Sequence, residues 1–285
     1  MINPNDFSDG NRAVDDFELG SNDDLKPITK DFQKFNKLIG LPKHPQTFRS
    51  HQLTTIQMKV FKENIHPKNQ VKLHLNKARQ CGWTELMIRI LAFHAFHKYA
   101  GGKIIIITGT QVQTTKEIFI RFLDLFKNIP EYIAKSESLK LTLKNGTTIH
   151  GRPAEPEAVT GWTKIKAILM DESAKWKLVD DQPVINAILP IVKTNKSDLF
   201  MISTPKGPRG FFYKIEMADN DFTKLIIDIH EGGEELYTYE ERMKMINSTT
   251  EDPDQEYLNK YTTGRDSIWG EVTEEHRTDE LEMEL

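Results

Sequence analysis

Four isoleucines in a row, Ile104 to Ile107, stand between Lys103 and Thr108. A strand sends successive side chains to opposite faces, so this run is stable only where apolar groups cover both sides. That is the position of an inner strand in a parallel sheet. Ala167 to Met170 and Leu199 to Ile202 carry the same signature. Val71, Leu73 and Leu75 alternate with polar residues, and Leu225 to Ile229 reads as the last strand. Between these runs, apolar residues recur at helical spacing: Ile56, Val60 and Phe61; Met87, Ile90, Leu91, His94 and Ala95; Ile118, Phe122, Leu125 and Phe126. Strands alternating with helices predict an α/β three-layer sandwich with a mostly parallel central sheet. Leu139, Leu141 and Leu143 alternate before Asn145-Gly146 and Thr147 to His150. This predicts a hairpin whose two central residues both take positive φ. Residues 238–262 read as two short helices.

Charge divides the chain. Residues 1–26 hold seven acidic and two basic residues, and residues 273–285 hold six acidic and one basic. Both ends are expected to be flexible tails. The net charge of −4 therefore hides a body with 35 basic against 29 acidic residues. Such a body is compatible with a polyanionic partner and equally with a mixed-charge solvated surface. Cys81 is the single cysteine, which excludes an internal disulfide and fits a reducing compartment. No apolar run reaches the roughly 20 residues of a membrane span, and the acidic start does not resemble a signal peptide. The expected organisation is an N-terminal arm and lead-in over 1–45 and a core over 46–235. A helical linker over 236–272 and an acidic tail over 273–285 follow.

The segment Lys77-Ala78-Arg79-Gln80-Cys81-Gly82-Trp83-Thr84 lies after a strand and before a helix. The unpaired N–H groups and dipole of a helix N-terminus favour anions there. Against the pattern G-x-x-x-x-G-K-[ST], Gly82 and Thr84 match, Trp83 takes the lysine position and Lys77 takes the first glycine. An ammonium is needed near the β- and γ-phosphates, and Lys77 can supply it from the other end of the loop. Alone, the segment reads equally well as a basic turn. Cys81 reads as a small filler, since nothing nearby would activate a thiol.

Asp171-Glu172 ends the buried run Ile168 to Met170. Aspartate there can hold Mg²⁺, and the next glutamate can polarise an attacking water. Acids at a helix start are the plain alternative. The two elements together, in an α/β frame, predict a P-loop ATPase. Ser203-Thr204-Pro205 ends another buried strand, whose hydroxyls would face the same crevice; a Ser-Thr cap before a turn is the alternative.

These stretches resemble the ATPase domain of the large terminase subunit, the motor that packages DNA into tailed-virus capsids. Lys77 to Thr84 is similar to the family's deviant Walker A loop. Leu143 to Gly161, with Pro153-Ala154-Glu155-Pro156, is similar to the stretch before its Walker B strand. Ile168 to Glu172 is similar to that strand. Ser203 to Gly207, followed by Gly210-Phe211-Phe212-Tyr213, is similar to its coupling motif. The resemblance spans roughly residues 50–230.

The resemblance implies that ATP is bound by Lys77, Ala78, Arg79, Gln80, Cys81, Gly82, Trp83 and Thr84. Lys77 would contact phosphate and Arg79 would act as an arginine finger. Thr84 and Asp171 would hold Mg²⁺, Glu172 would be the catalytic carboxylate, and Ser203 and Thr204 would couple hydrolysis to movement. An upstream glutamine would read adenine: Gln57 by spacing, with Gln52 as rival.

Two departures accompany it. Thr160 stands before Gly161 where many relatives carry an arginine, with Arg152 and Arg209 as candidate replacements. Large terminases usually continue into a nuclease domain, whereas Tyr257-Leu258-Asn259-Lys260-Tyr261 resembles the link between domains and no set of spaced aspartates follows. Nuclease activity is therefore not expected from this chain. The implied partners are double-stranded DNA, a homo-oligomeric ring on a portal, a small terminase subunit and a separate nuclease. The implied location is the host cytoplasm at the procapsid. The alternatives are a helicase-like remodeller and a non-catalytic protein with a degenerate P-loop.

Overall fold

The computed structural model describes residues 25–66, 69–109, 111–158, 160–176, 181–248 and 252–263. The acidic tail expected over 273–285, and all but the last two residues of the acidic stretch 1–26, lie outside them. Eight strands form one sheet: β1 Lys72–Lys77, β2 Lys103–Thr108, β3 Ile133–Glu137, β4 Lys140–Leu143, β5 Thr148–Pro153, β6 Ile165–Asp171, β7 Asp198–Ser203 and β8 Thr223–Ile227. Their spatial order is β3-β4-β5-β2-β6-β7-β1-β8. The β3–β4 and β4–β5 pairs are antiparallel and the others parallel.

The isoleucine run does what its pattern requires. Ile104 and Ile106 enter one core and Ile105 and Ile107 the other. The first core joins the sheet to α1 Phe32–Leu38, α2 Thr55–Val60, α3 Trp83–Ala95 and α4 Val112–Asp124. The second joins it to α5 Gln182–Asn195 and α6 Gly210–Met217, with Ile185, Ile188, Phe211 and Phe212 fully packed. At roughly 2 kcal/mol per buried branched or aromatic side chain, these two layers are the main stabilising term.

After β8, Asp228 accepts hydrogen bonds from the His230 and Glu231 N–H groups and starts α7 Ile229–Gly232, so Ile229 falls in a helix and not in the strand. The helices α8 Tyr239–Ser248 and α9 Pro253–Glu256 follow.

The Asn145-Gly146 turn departs from expectation. Gly146 takes φ 83°, but Asn145 keeps negative φ. Leu143 N–H donates to the Thr147 carbonyl, and Gly146 N–H donates to the Leu143 carbonyl, each at 2.9 Å. This is a three-residue loop, in which one left-handed glycine suffices. The Asn145 amide is instead drawn to the Ala95 carbonyl at 2.9 Å, at the end of α3.

Candidate active site

The strand order brings the three motifs together. β6, β7 and β1 are adjacent, with Asp171 beside Ile202 and Ser203 beside Asn76. The carboxyl ends of these strands therefore form one ledge, the usual ligand edge of an open α/β sheet.

Lys77 is the last residue of β1 and is buried. Its Nζ lies 2.5 Å from Glu172 Oε1. Burial opposes the lysine charge, but Glu172 and Asp171 outweigh it and hold its pKa above the ordinary value. Gln80 and Gly82 take φ 62° and 73°, so the loop curls through left-handed conformations before α3. Gly82 caps α3 without any side-chain bond to its first turn, which leaves a helix N-terminus suited to an anion. The Ala78 and Arg79 N–H groups are tied to the Ile227 and Glu256 carbonyls, at 2.9 and 2.8 Å.

Thr84 Oγ1 donates to Asp171 Oδ1 at 3.0 Å. Asp171 is buried; desolvation and the neighbouring Glu172 raise its pKa to about 6 despite Lys77. A buried, under-neutralised carboxylate next to a hydroxyl at a helix N-terminus is a donor set that fits Mg²⁺, which uses one or two carboxylates and completes its shell with phosphate and water. Among the described residues no group of three or more His, Cys, Asp or Glu could hold a metal ion without such help.

Glu172 stands in left-handed backbone, φ 49°, and its side chain is 39% exposed. A non-glycine residue held in that region marks a position constrained by its surroundings. Trp176 Nε1 donates to the Asp171 carbonyl at 3.0 Å and fixes the turn. Burial would raise the Glu172 pKa, but Lys77 foremost and Lys175 next bring it below the usual carboxylate value. Ser203 Oγ lies 3.5 Å from Glu172 Oε2, accepts from Ala174 N–H at 3.2 Å and sits 2.6 Å from the Thr204 carbonyl. Thr204 is buried, and its hydroxyl has no hydrogen-bond partner among the described residues.

Other loop residues face away from this ledge. Trp83 is buried, with Nε1 close to Gly232: a Cβ on Gly232 would lie 3.2 Å from it. Cys81 is also buried there, and burial pushes its thiol up to about 12, which leaves it inert. Gln57 is buried behind the loop. Its Nε2 donates to the Cys81 carbonyl, and its Oε1 accepts from Thr54 N–H, both at 3.1 Å. Gln52 is exposed. Arg79 is half exposed, and its Nη1 lies 3.5 Å from the buried Glu256, which also takes Lys175 at 2.6 Å. Arg152 packs on Trp162, whereas Arg209 is exposed at the start of α6. Sequence reasoning missed Gly232, Lys175 and Glu256. Only Lys175, three residues after the acidic pair, carried a local signal.

The sequence model of the family described as terminase large subunit, T4likevirus-type, N-terminal, matches residues 74–258. Among solved structures, a mutant ATPase domain of the Thermus phage P74-26 large terminase is similar at TM-score 0.60 and 19% identity, covering 84% of this chain and 100% of that one. The HK97 bacteriophage large terminase is similar at TM-score 0.60 and 13% identity, over 81% of this chain and 55% of that one. The large terminase of the thermophilic bacteriophage D6E, in complex with ADP, gives 0.55 and 11%, over 73% and 54%. At such identities the likeness is one of fold, and the chain spans about half the length of the HK97 and D6E structures. No curated protein matches the chain.

Proposed function

The chain belongs to the T4-like large terminase family, in its N-terminal ATPase part, and from that premise we propose that it is the ATP-hydrolysing motor of viral DNA packaging. It would drive double-stranded DNA into a procapsid. The observation that carries this reading is the meeting of Lys77 with Glu172, and of Thr84 with Asp171, at one strand-end ledge.

In this reading the triphosphate lies at the N-terminus of α3, where backbone N–H groups and the helix dipole favour it. Lys77 exchanges Glu172 for phosphate oxygens, and that exchange frees the Glu172 carboxylate to orient water. Thr84 and Asp171 would hold Mg²⁺, which neutralises charge on the transferring group. Arg79, at the rim of the loop, reaches the γ-phosphate once released from Glu256. Ser203, within 3.5 Å of Glu172, reports loss of that phosphate to the start of α6 and to residues 238–272. Gln57 is assigned adenine recognition.

The core then covers 46–235, between a lead-in and arm over 1–45, a helical linker over 236–272 and an acidic tail. The assembly is a homo-oligomeric ring on a portal in the host cytoplasm, joined by a small subunit and a separate nuclease. No helix among the described residues is long and apolar enough to cross a membrane.

Glu172→Gln tests the assignment. It should abolish hydrolysis and spare ATP binding, and unchanged turnover would sink it. Turnover with and without duplex DNA separates a packaging motor from a non-catalytic P-loop protein, and a strand-separation assay separates it from a helicase-like remodeller.

A further inference from the structure

A groove of about 710 Å³ opens on the antiparallel side of the sheet, away from the nucleotide ledge. Thr148, His150 and Arg152 alternate onto its floor from β5. Lys103 of β2 lies beside Thr148, and Lys140 of β4 lies beside His150. Trp162 forms a wall, and two cations stand against its ring: Lys103 Nζ at 5.5 Å and Arg152 Cζ at 4.8 Å from the centroid.

The charges in this groove are unbalanced. Among the described residues neither Lys103 nor Arg152 has a carboxylate within ion-pair distance. The single acid lining the groove, Glu137, binds Lys135 at 2.5 Å and reaches Lys140 only at 4.0 Å. The buried His150 is driven down to about 4, first by burial and then by Arg152, Lys140 and Lys103. It thus stays neutral and adds no further repulsion. Three cations line the groove, two of them against one indole, and only Lys140 has a carboxylate near it; this imbalance raises the local potential and attracts an anion.

The shape decides which anion. The groove is open and its cations come from three different strands. Among the described residues that line it there is no helix N-terminus or ring of backbone N–H groups to enclose a single phosphate. Spaced point charges along an open floor suit a repeating phosphate backbone.

We propose that this groove holds the phosphodiester backbone of duplex DNA. The proposal rests on the packaging reading for the identity of the polymer. The groove contributes up to three phosphate contacts and no base contact, so binding is independent of sequence.

The test uses the full chain and a fluorescein-labelled random duplex, with affinity measured by anisotropy between 50 and 200 mM salt. Each neutralised phosphate adds about 0.9 to the slope of log affinity against log salt. Lys103→Gln, Lys140→Gln and Arg152→Gln together should lower the slope by about 2.7 and weaken binding at least about tenfold. In the double variant Lys103→Gln with Lys140→Gln, ATP hydrolysis without DNA should not change, since neither lysine lies at the nucleotide ledge. Trp162→Phe keeps an aromatic wall and all three charges, and should keep the slope.

Lys59→Gln, an exposed lysine on α2, is the charge control. A slope loss of about 0.9 from Lys59→Gln, equal per charge to that of the triple variant, would reduce the effect to a general field and overturn the proposal. So would an unchanged slope in the triple variant, or a change confined to self-association. Failure of the packaging reading looks different: the wild type would then bind DNA, and lose slope in the triple variant, without hydrolysing ATP; a wild type that binds no DNA at all would overturn both.

Discussion

Lys77 Nζ and Glu172 Oε1 stand 2.5 Å apart, joining the last residue of β1 to the residue that follows β6 across the intervening strand β7. The ammonium proposed to hold phosphate is thus bound to the carboxylate proposed to orient water. Asp171 sits beside them, buried and short of positive charge. Two carboxylates share Lys77 as their main cation, and removing that cation has a defined consequence.

Lys77→Ala leaves Asp171 and Glu172 facing each other with only the weaker influence of Lys175 and Arg79 to offset their charge. The variant should lose ATP binding and about 1–3 kcal/mol of stability, less than a fully buried pair loses because Glu172 reaches solvent. Adding Glu172→Gln should restore part of the stability and none of the turnover. Urea unfolding of the two single variants and the double variant measures the coupling; strict additivity would dissolve the pairing.

Gly82 takes φ 73°, and a Cβ there would meet Gln57 Nε2 at 3.1 Å. Gly82→Ala should cost roughly 1–2 kcal/mol from the left-handed backbone alone and displace the Gln57 amide. Thermal unfolding and ATP titration should worsen together.

Gln57 both caps α2 and holds the Cys81 carbonyl. Gln57→Ala should cost about 1 kcal/mol through the lost cap. A nucleotide titration shows its second role. Loss of ATP binding with GTP binding retained would confirm adenine reading, and equal loss of both would leave only the loop contact.

Gly232 is the floor on which Trp83, Ile227 and Cys81 converge, at 3.2, 3.3 and 3.4 Å from a would-be Cβ. Gly232→Ala overpacks that contact and should destabilise by about 1–3 kcal/mol. Because Trp83 begins α3, the shift should also weaken ATP binding, which a melting curve with and without ATP would detect.

His94 is buried among Phe61, Phe93 and Tyr99, with neither ring nitrogen hydrogen-bonded among the described residues. Burial, and then Lys98, drive its pKa down to about 3 from 6.5. The folded protein therefore keeps it neutral while the unfolded chain protonates it below pH 6.5. More protons on the unfolded chain mean that stability falls with falling pH, from 6.5 down to about 3. His94→Leu should remove about 1–2 kcal/mol of the loss between pH 7.5 and 5.5. Identical pH slopes for wild type and variant would refute this.

The sequence reports most of the fold because burial on two faces and helical spacing are local patterns. Ile104 to Ile107, Leu199 to Ile202 and the α3 stripe announced their elements directly. The edge strand β3, Ile133-Ala134-Lys135-Ser136-Glu137, is polar and half solvated, so no apolar pattern marked it. The helix α5 interrupts its own signal with Pro190 and went unannounced. The Asn145-Gly146 turn followed the contact of Asn145 with α3, which no turn rule contains.

For the site, the residue types were legible and their neighbours were not. Lys77, Thr84, Asp171, Glu172 and Ser203 declared themselves by chemistry and by position at strand ends. That β7 lies between β1 and β6, that Lys77 binds Glu172, and that Glu256 reaches Arg79 from 177 residues later were decided by tertiary structure alone. Periodicity is set by each residue's immediate neighbours along the chain. Strand order and ion pairing are set by how separate layers pack, a long-range choice that no short window of sequence encodes.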